Sequence, residues 1–305
     1  MNDLFQNSKL IESGASKKIV FKLKKNKYEF ILIDFSKDKI EFYNFIKVYK
    51  ILKNTNISLP KIYEINFTNY LILMEDFGNK RFDDYHNQDN IKELLMTAVN
   101  SLITIQNSLS HTNIQNLDKY NFNILITEIK EIVDYYFPYK SIESNLKNVF
   151  FDTWKDEFYK FNFYFDSFVH KDFNMNNLIF LPKKKNHLKC GIIDFQGAFL
   201  GFSGWDLFSL LEDSRILFTD KYNKEILKYF YNNTYQKISY KEFVNQYYFL
   251  NISRQTRLLG RWIKLDSQFK NKGYLKYIDT TIKRLETSLL NLNNKQLSKL
   301  YSKIL

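Results

Sequence analysis

Two short apolar runs, each ending in an acid, constrain this chain most. Phe168-Val169 leads into His170-Lys171-Asp172-Phe173-Asn174-Met175-Asn176-Asn177-Leu178, and Gly191-Ile192-Ile193 leads into Asp194-Phe195-Gln196-Gly197-Ala198. Such runs read as short buried strands within strand-like segments at Phe168–Leu181 and Leu188–Phe195. The charge run Lys183-Lys184-Lys185-Asn186-His187 between them reads as a solvated hairpin tip rather than an anion site. The middle of the chain therefore has to hold strand, polar loop and hairpin close together, with a carboxylate at the end of two strands.

The flanking sequence predicts different partners on each side. Residues 17–24 and 28–34 are β-branched and aromatic and are separated by Lys25-Asn26-Lys27, a hairpin pattern. Apolar residues at mostly three- and four-residue steps predict a helix over Lys39–Lys53. A strand pair, Lys61–Asn66 and Tyr70–Met74, follows Pro60. From about 89 to 165 the pattern is helical, with Ile91, Leu94, Leu95, Ala98, Leu102 and Ile105 on one face, and helices dominate again from Trp205. There is no internal repeat.

The chemistry follows from the order of the polar residues. An Asp, an Asn five residues on and a second Asp after an apolar strand are the groups phosphoryl transfer needs. One carboxylate orients and deprotonates an acceptor hydroxyl, while an amide oxygen and another carboxylate hold Mg²⁺ against ATP phosphates. Oxygen donors suit a hard cation. No one element is specific, but the three in order, each with a strand before it, are.

On these residues the chain resembles the protein-kinase-like superfamily, and within it the aminoglycoside phosphotransferases and related small-molecule kinases. The resemblance implies an α+β, two-lobed protein-kinase-like fold. Residues 1–77 would form a small antiparallel-sheet N-lobe covering the nucleotide, with one helix. Residues 78–305 would form a larger, mainly helical C-lobe with the catalytic loop, metal site and substrate pocket. It further implies Asp172 as catalytic base, His170 as a brace beside it, Asn177 and Asp194 as Mg²⁺ ligands, and Asp206, in Gly201-Phe202-Ser203-Gly204-Trp205-Asp206-Leu207, as support for the catalytic loop from a helix start. Leu71-Ile72-Leu73-Met74-Glu75-Asp76-Phe77-Gly78 looks like the interlobe hinge, with the backbone of Glu75 and Phe77 toward adenine and Met74 behind it.

The amino-terminal part departs from the family pattern. Ser13-Gly14-Ala15-Ser16 stands where a phosphate-covering loop belongs, with Ser16 a candidate phosphate contact, and fits an ordinary turn equally well. The usual third-strand Lys is missing, its register being held by Ile33. Lys22, Lys17 or Lys18 are candidates to replace it, and Glu41 is a candidate helix acid. Together with Glu-Asp-Phe-Gly at the hinge and His-Lys-Asp-Phe in the loop, these departures are similar to the bacterial cell-wall sugar kinases that phosphorylate the anomeric hydroxyl of N-acetylmuramate and N-acetylglucosamine. The stretch Arg254-Gln255-Thr256-Arg257-Leu258-Leu259-Gly260-Arg261-Trp262 resembles that family's late helix, which makes Arg254 and Arg257 candidates for substrate binding. The catalytic loop has Asn174-Met175-Asn176 where those kinases usually carry a His and often an Arg. The expected cofactors are ATP and Mg²⁺, and the expected partner an amino sugar; aminoglycoside or choline-type phosphorylation and a pseudokinase-like binding module are the alternatives.

Composition enters chiefly to weigh the charge. Lys+Arg number 45 against 33 Asp+Glu, a formal +12, yet only six are Arg and 39 are Lys spread along the chain. A dispersed Lys background does not make a nucleic-acid surface, and no nucleic-acid partner is expected. Three of the six Arg fall within 254–261, however. Arg makes bidentate contacts with carboxylates that Lys cannot, so either an anionic substrate group or acids of the same protein would explain the cluster. Cys190 reads as a buried core residue. With no basic-then-apolar leader and no long apolar run, the chain is expected to be cytoplasmic and free of membrane association.

Overall fold

The computed structural model describes residues 8–11, 17–25, 28–216, 222–269 and 273–305. Along the chain run β1 (Ser8–Ile11), β2 (Ile19–Lys25), β3 (Tyr28–Asp34), α1 (Lys39–Leu52), β4 (Ile62–Asn66), β5 (Leu71–Glu75), α2 (Phe82–Tyr85), α3 (Ile91–Ser108) and α4 (His111–Ile114). Next come α5 (Phe122–Glu131), a π-helical turn (Ile132–Tyr136), α6 (Phe137–Tyr139), α7 (Leu146–Phe158), β6 (Ser167–Val169), β7 (Leu178–Phe180), β8 (Cys190–Ile192) and β9 (Phe199–Gly201). Then α8 (Trp205–Leu211), α9 (Asn223–Asn233), α10 (Tyr240–Phe269), α11 (Ile278–Leu292) and α12 (Lys295–Tyr301) complete an α+β chain. It divides into two compact units, one made of residues up to 113 with 170–198, the other of 114–169 with 199–305.

The first unit is built on a five-stranded antiparallel sheet in the order β1-β2-β3-β5-β4. The β2–β3 hairpin is present with Val20 opposite Ile33 and Lys22 opposite Ile31. Because alternate strand residues share a face, Leu23, Leu32 and Leu71 gather on one side with Phe21, Phe30 and Leu73. Lys18, Val20 and Lys22 stand on the other. β5 begins one residue later than the sequence pattern predicts, because Tyr70 is left-handed (φ 57°) and turns the chain there. β1 was not legible at all: its four residues form a strand because β2 offers them an edge.

Helix α1 starts where Asp38 accepts a hydrogen bond from the Glu41 amide (3.0 Å), an N-cap that satisfies an otherwise orphaned donor. It buries Phe42, Phe45, Ile46, Val48 and Leu52. The expected strand-like segment at 168–181 resolves into β6, a loop with a 3-10 turn at Met175–Asn177, and β7, which pairs with β8.

The second unit is mainly helical, with the short pair β6–β9. Its longest helix, the 30-residue α10, packs on α11 through polar contacts, Asn251 to Ser288 (2.8 Å) and Trp262 to Thr281 (2.9 Å). On another side it meets α5 and the π-helical turn so closely that a Cβ at Gly260 would lie 2.1 Å from the Glu131 carbonyl oxygen. Only glycine permits that crossing. Among the described residues no helix is long and apolar enough to cross a membrane.

Candidate active site

The residues expected to carry chemistry converge within the first unit, and main-chain hydrogen bonds explain how. Three donors surround the Asp172 carbonyl: the Asn174 amide (2.9 Å), the Asn174 side chain (3.2 Å) and the Asn177 side chain (2.9 Å). The Asn174 side-chain oxygen also accepts from the Asn176 amide (3.1 Å), capping the 3-10 turn. The loop from 172 to 177 is thus rolled around one carbonyl, which fixes the direction of the Asp172 side chain. That carboxylate is half-buried and, among the described residues, accepts no hydrogen bond. It remains available to a hydroxyl.

The second strand is tied to this loop. The Ile193 amide donates to the Asn177 carbonyl (3.2 Å), and His170 Nε2–H donates to the Ile193 carbonyl (3.1 Å). Burial pushes the His170 imidazole below its ordinary value, against the opposing pull of Asp172 and Asp194. The neutral ring donates one hydrogen bond, which ties the loop at 170–177 to the segment before Asp194.

Asp194 itself adopts a left-handed conformation (φ 65°) at the end of that strand. The turn carries its carboxylate to Lys18 Nζ, which contacts Oδ1, and to Gln196 Nε2, which donates to the same oxygen (2.9 Å). Burial alone would raise the Asp194 carboxyl, but the Lys18 ammonium and the Gln196 amide hold it below the ordinary value. It is therefore ionised at neutral pH.

The donors of Asn177 and Asp194 suit Mg²⁺. The Asn177 amide nitrogen is committed to the Asp172 carbonyl, which leaves the amide oxygen as its open end. An amide oxygen and an ionised carboxylate are donors that a hard cation takes. Among the described residues no cage of three or more His, Cys, Asp or Glu forms, so a cation here would be completed by oxygens of a phosphate ligand or water.

One face of α1 closes against this strand. Glu41, Phe45 and Tyr49 recur every four residues and so stack on one side of the helix. Glu41 accepts from Gln196 Nε2 (2.8 Å), while Phe45 and Tyr49 pack their rings on Phe195 at 4.7 and 6.3 Å. Gln196 thereby holds the helix acid and Asp194 together with one amide. This bridge was not seen in the sequence; the four-residue spacing of Glu41, Phe45 and Tyr49 was its only visible trace.

Of the lysine candidates, Lys22 turns to Glu29 (3.0 Å) and Asp76 (2.8 Å), whose hydrogen bonds raise its pKa. Lys18 is the one that reaches Asp194, with Glu41 Oε1 at 3.9 Å. Ser16 lies outside the described residues. Met74 is buried and Glu75 ends β5, its amide donating to the Lys61 carbonyl (2.8 Å). The Phe77 ring covers β8 so tightly that a Cβ on Gly191 would lie 2.6 Å from it.

The remaining candidates belong to the second unit. Asp206 is buried in the first turn of α8, as a helix-opening acid should be. Arg254 is buried with Nη1 3.5 Å from the Glu212 carbonyl, and Arg257 pairs with Glu128 (3.1 Å). Arg261 and Lys264 both reach Glu131, at 2.8 and 3.4 Å. These ion pairs flank Gly260 and clamp α10 onto α5. Acids of the same protein thus account for much of the Arg cluster.

Residues 145–239 match the model of the phosphotransferase enzyme family, described as APH. Over 48 residues the chain is 44% identical to an N-acetylmuramate/N-acetylglucosamine kinase of Caulobacter vibrioides; that stretch is 16% of this chain and 13% of the relative's length. In solved structures the fold is similar to a thermostable aminoglycoside phosphotransferase mutant in ternary complex with ADP and hygromycin B (TM-score 0.63, 12% identity, 96% of this chain and 97% of that one). It is also similar to a choline kinase from Streptococcus pneumoniae (TM-score 0.62, 15% identity, 96% of each chain). A spectinomycin phosphotransferase with ADP and spectinomycin matches at TM-score 0.60 and 14% identity, over 93% and 92%.

The fold is that of the kinase-like phosphotransferases. Residues 145–239 carry the phosphotransferase family match, and the similarity to aminoglycoside phosphotransferases and a choline kinase over nearly the whole chain is one of fold.

Proposed function

We propose that the chain is an ATP- and Mg²⁺-dependent small-molecule kinase whose acceptor is a sugar hydroxyl, with the anomeric hydroxyl of N-acetylmuramate or N-acetylglucosamine as the favoured site of transfer. The observation that carries the reading is the hydrogen-bonded assembly of Asp172, Asn177 and Asp194 in one loop and strand. Phosphoryl transfer asks a protein mainly for positioning and charge neutralisation. Asp172, fixed by its own carbonyl and open at its carboxylate, accepts the hydroxyl proton. Asn177 and Asp194 would hold Mg²⁺, which neutralises phosphate charge when bound. The backbone of Glu75 and Phe77, at and just beyond the end of β5, takes the adenine. The sugar assignment is supported by the 44% identical stretch. We carry Arg254 and Arg257 as proposed contacts of the substrate in addition to their protein partners. The cytoplasm, where ATP is abundant, is the proposed location.

ATP consumption measured against a panel of amino sugars, aminoglycosides and choline tests this. Turnover confined to amino sugars is expected; turnover with an aminoglycoside or choline alone would replace the substrate, and nucleotide binding without turnover on any acceptor would make the chain a binding module.

A further inference from the structure

We infer that Lys18 supplies the phosphate-gripping cation that the third strand lacks. The inference rests on reading the chain as an ATP-dependent kinase and names the residue that reading leaves open. In kinase-like sites a strand lysine, paired with a helix glutamate, holds the nucleotide phosphates. Here the third-strand position is Ile33, an apolar side chain 4% exposed. Val20 sits directly opposite Ile33. Lys18, two residues before Val20, therefore projects from the same sheet face, displaced one strand over.

Its surroundings complete the assignment. Lys18 Nζ contacts Asp194 and stands 3.9 Å from Glu41, the acid in the first turn of α1. Its side chain is only 12% exposed, so the stem is held while the ammonium stays between two carboxylates. Gln196 links those carboxylates to each other at 2.8 and 2.9 Å. The lysine–glutamate pair is thus rebuilt from a different strand, with a glutamine tying it to the metal-strand acid. Asp194 would hold a metal that neutralises phosphate charge, and the Lys18 ammonium against the same carboxylate is placed to serve the same phosphates. Lys22 shares the face but is engaged at the hinge end by Asp76 and Glu29.

Calorimetric titration of the full chain with ATP, ADP and adenosine separates this from a structural role. Lys18→Met is expected to weaken ATP and ADP by about tenfold or more, the worth of a charge-assisted contact, and to leave adenosine unchanged. Lys18→Arg should keep most of the phosphate-dependent affinity, and Lys24→Met, on the exposed part of β2, should stay near wild type for all three ligands. A Lys18→Met chain that binds ATP like wild type overturns the inference, as does an equal loss of adenosine and ATP, the mark of a merely structural lysine. A wild-type chain that binds neither nucleotide would instead sink the kinase reading, and this assignment with it.

Discussion

Asp172 has its backbone carbonyl saturated by donors while its carboxylate is left open, a division of labour that separates holding the residue from using it. Asp172→Asn keeps the loop hydrogen bonds, which involve the carbonyl, and removes only the proton acceptor. Turnover should therefore fall by about 10²–10⁴-fold, the usual worth of a general base, with ATP affinity nearly unchanged. Steady-state kinetics beside a binding titration checks both halves. Near-normal turnover would remove Asp172 from the chemistry. A second residue-scale consequence lies at Asp213, which is 1% exposed. Burial alone would raise its carboxyl, but Arg215, bidentate at 2.9 and 2.7 Å, and Arg254 hold it below the ordinary value. A carboxyl depressed in the folded state stabilises fully above about pH 4, where the unfolded chain has also lost its proton, and loses that contribution as pH falls through the lower folded value. Arg215→Ala should cost about 1–3 kcal/mol at neutral pH and flatten the dependence of stability on pH below about 4. Urea melts across that range would show it; an unchanged acid slope would mean Arg254 alone suffices.

At the scale of elements, two close approaches decide what can be changed. The Gly260 crossing has helix backbone against helix backbone, so a methyl there has no rotamer to escape into. Gly260→Ala should destabilise by about 1–3 kcal/mol or more, read as a lowered denaturation midpoint; a neutral result would show that α5 can move away. On β8, Cys190 is 0% exposed and burial pushes its thiol up to about 12. Thiol reagents should label it only when this strand opens, so labelling at the rate of an exposed thiol would contradict the buried hairpin. These elements also show how far the sequence could be read. The helix at 39, the hairpin at 19–34 and the acid-ended strands were legible because each has its own local period and end signals. β1 was not, since four residues become a strand only through a partner, and neither was the π-helical turn, which meets α10 where its only sequence sign is a glycine more than a hundred residues away. Among 39 lysines, Lys18 stands out only once strand register places it two residues from the partner of Ile33.

For the whole molecule, ligand linkage is the most direct reading. ATP with Mg²⁺ at a hundred times its dissociation constant should stabilise the chain by about 2.7 kcal/mol, seen as a raised melting temperature. Asp194→Ala should abolish the Mg²⁺-dependent part and keep the metal-independent part; equal shifts with and without the ion in wild type would remove Asp194 from that role. The first unit has a further consequence because it is discontinuous in sequence, closing only when residues 170–198 join residues up to 113. During synthesis the face of α1 that carries Phe45 and Tyr49 leaves the ribosome well before Phe195 exists. At about 5–20 residues per second that interval is on the order of ten seconds. Throughout it the nascent chain carries the Glu41, Phe45 and Tyr49 face of α1 before the Phe195 ring and the Gln196 amide that this face meets in the folded unit exist.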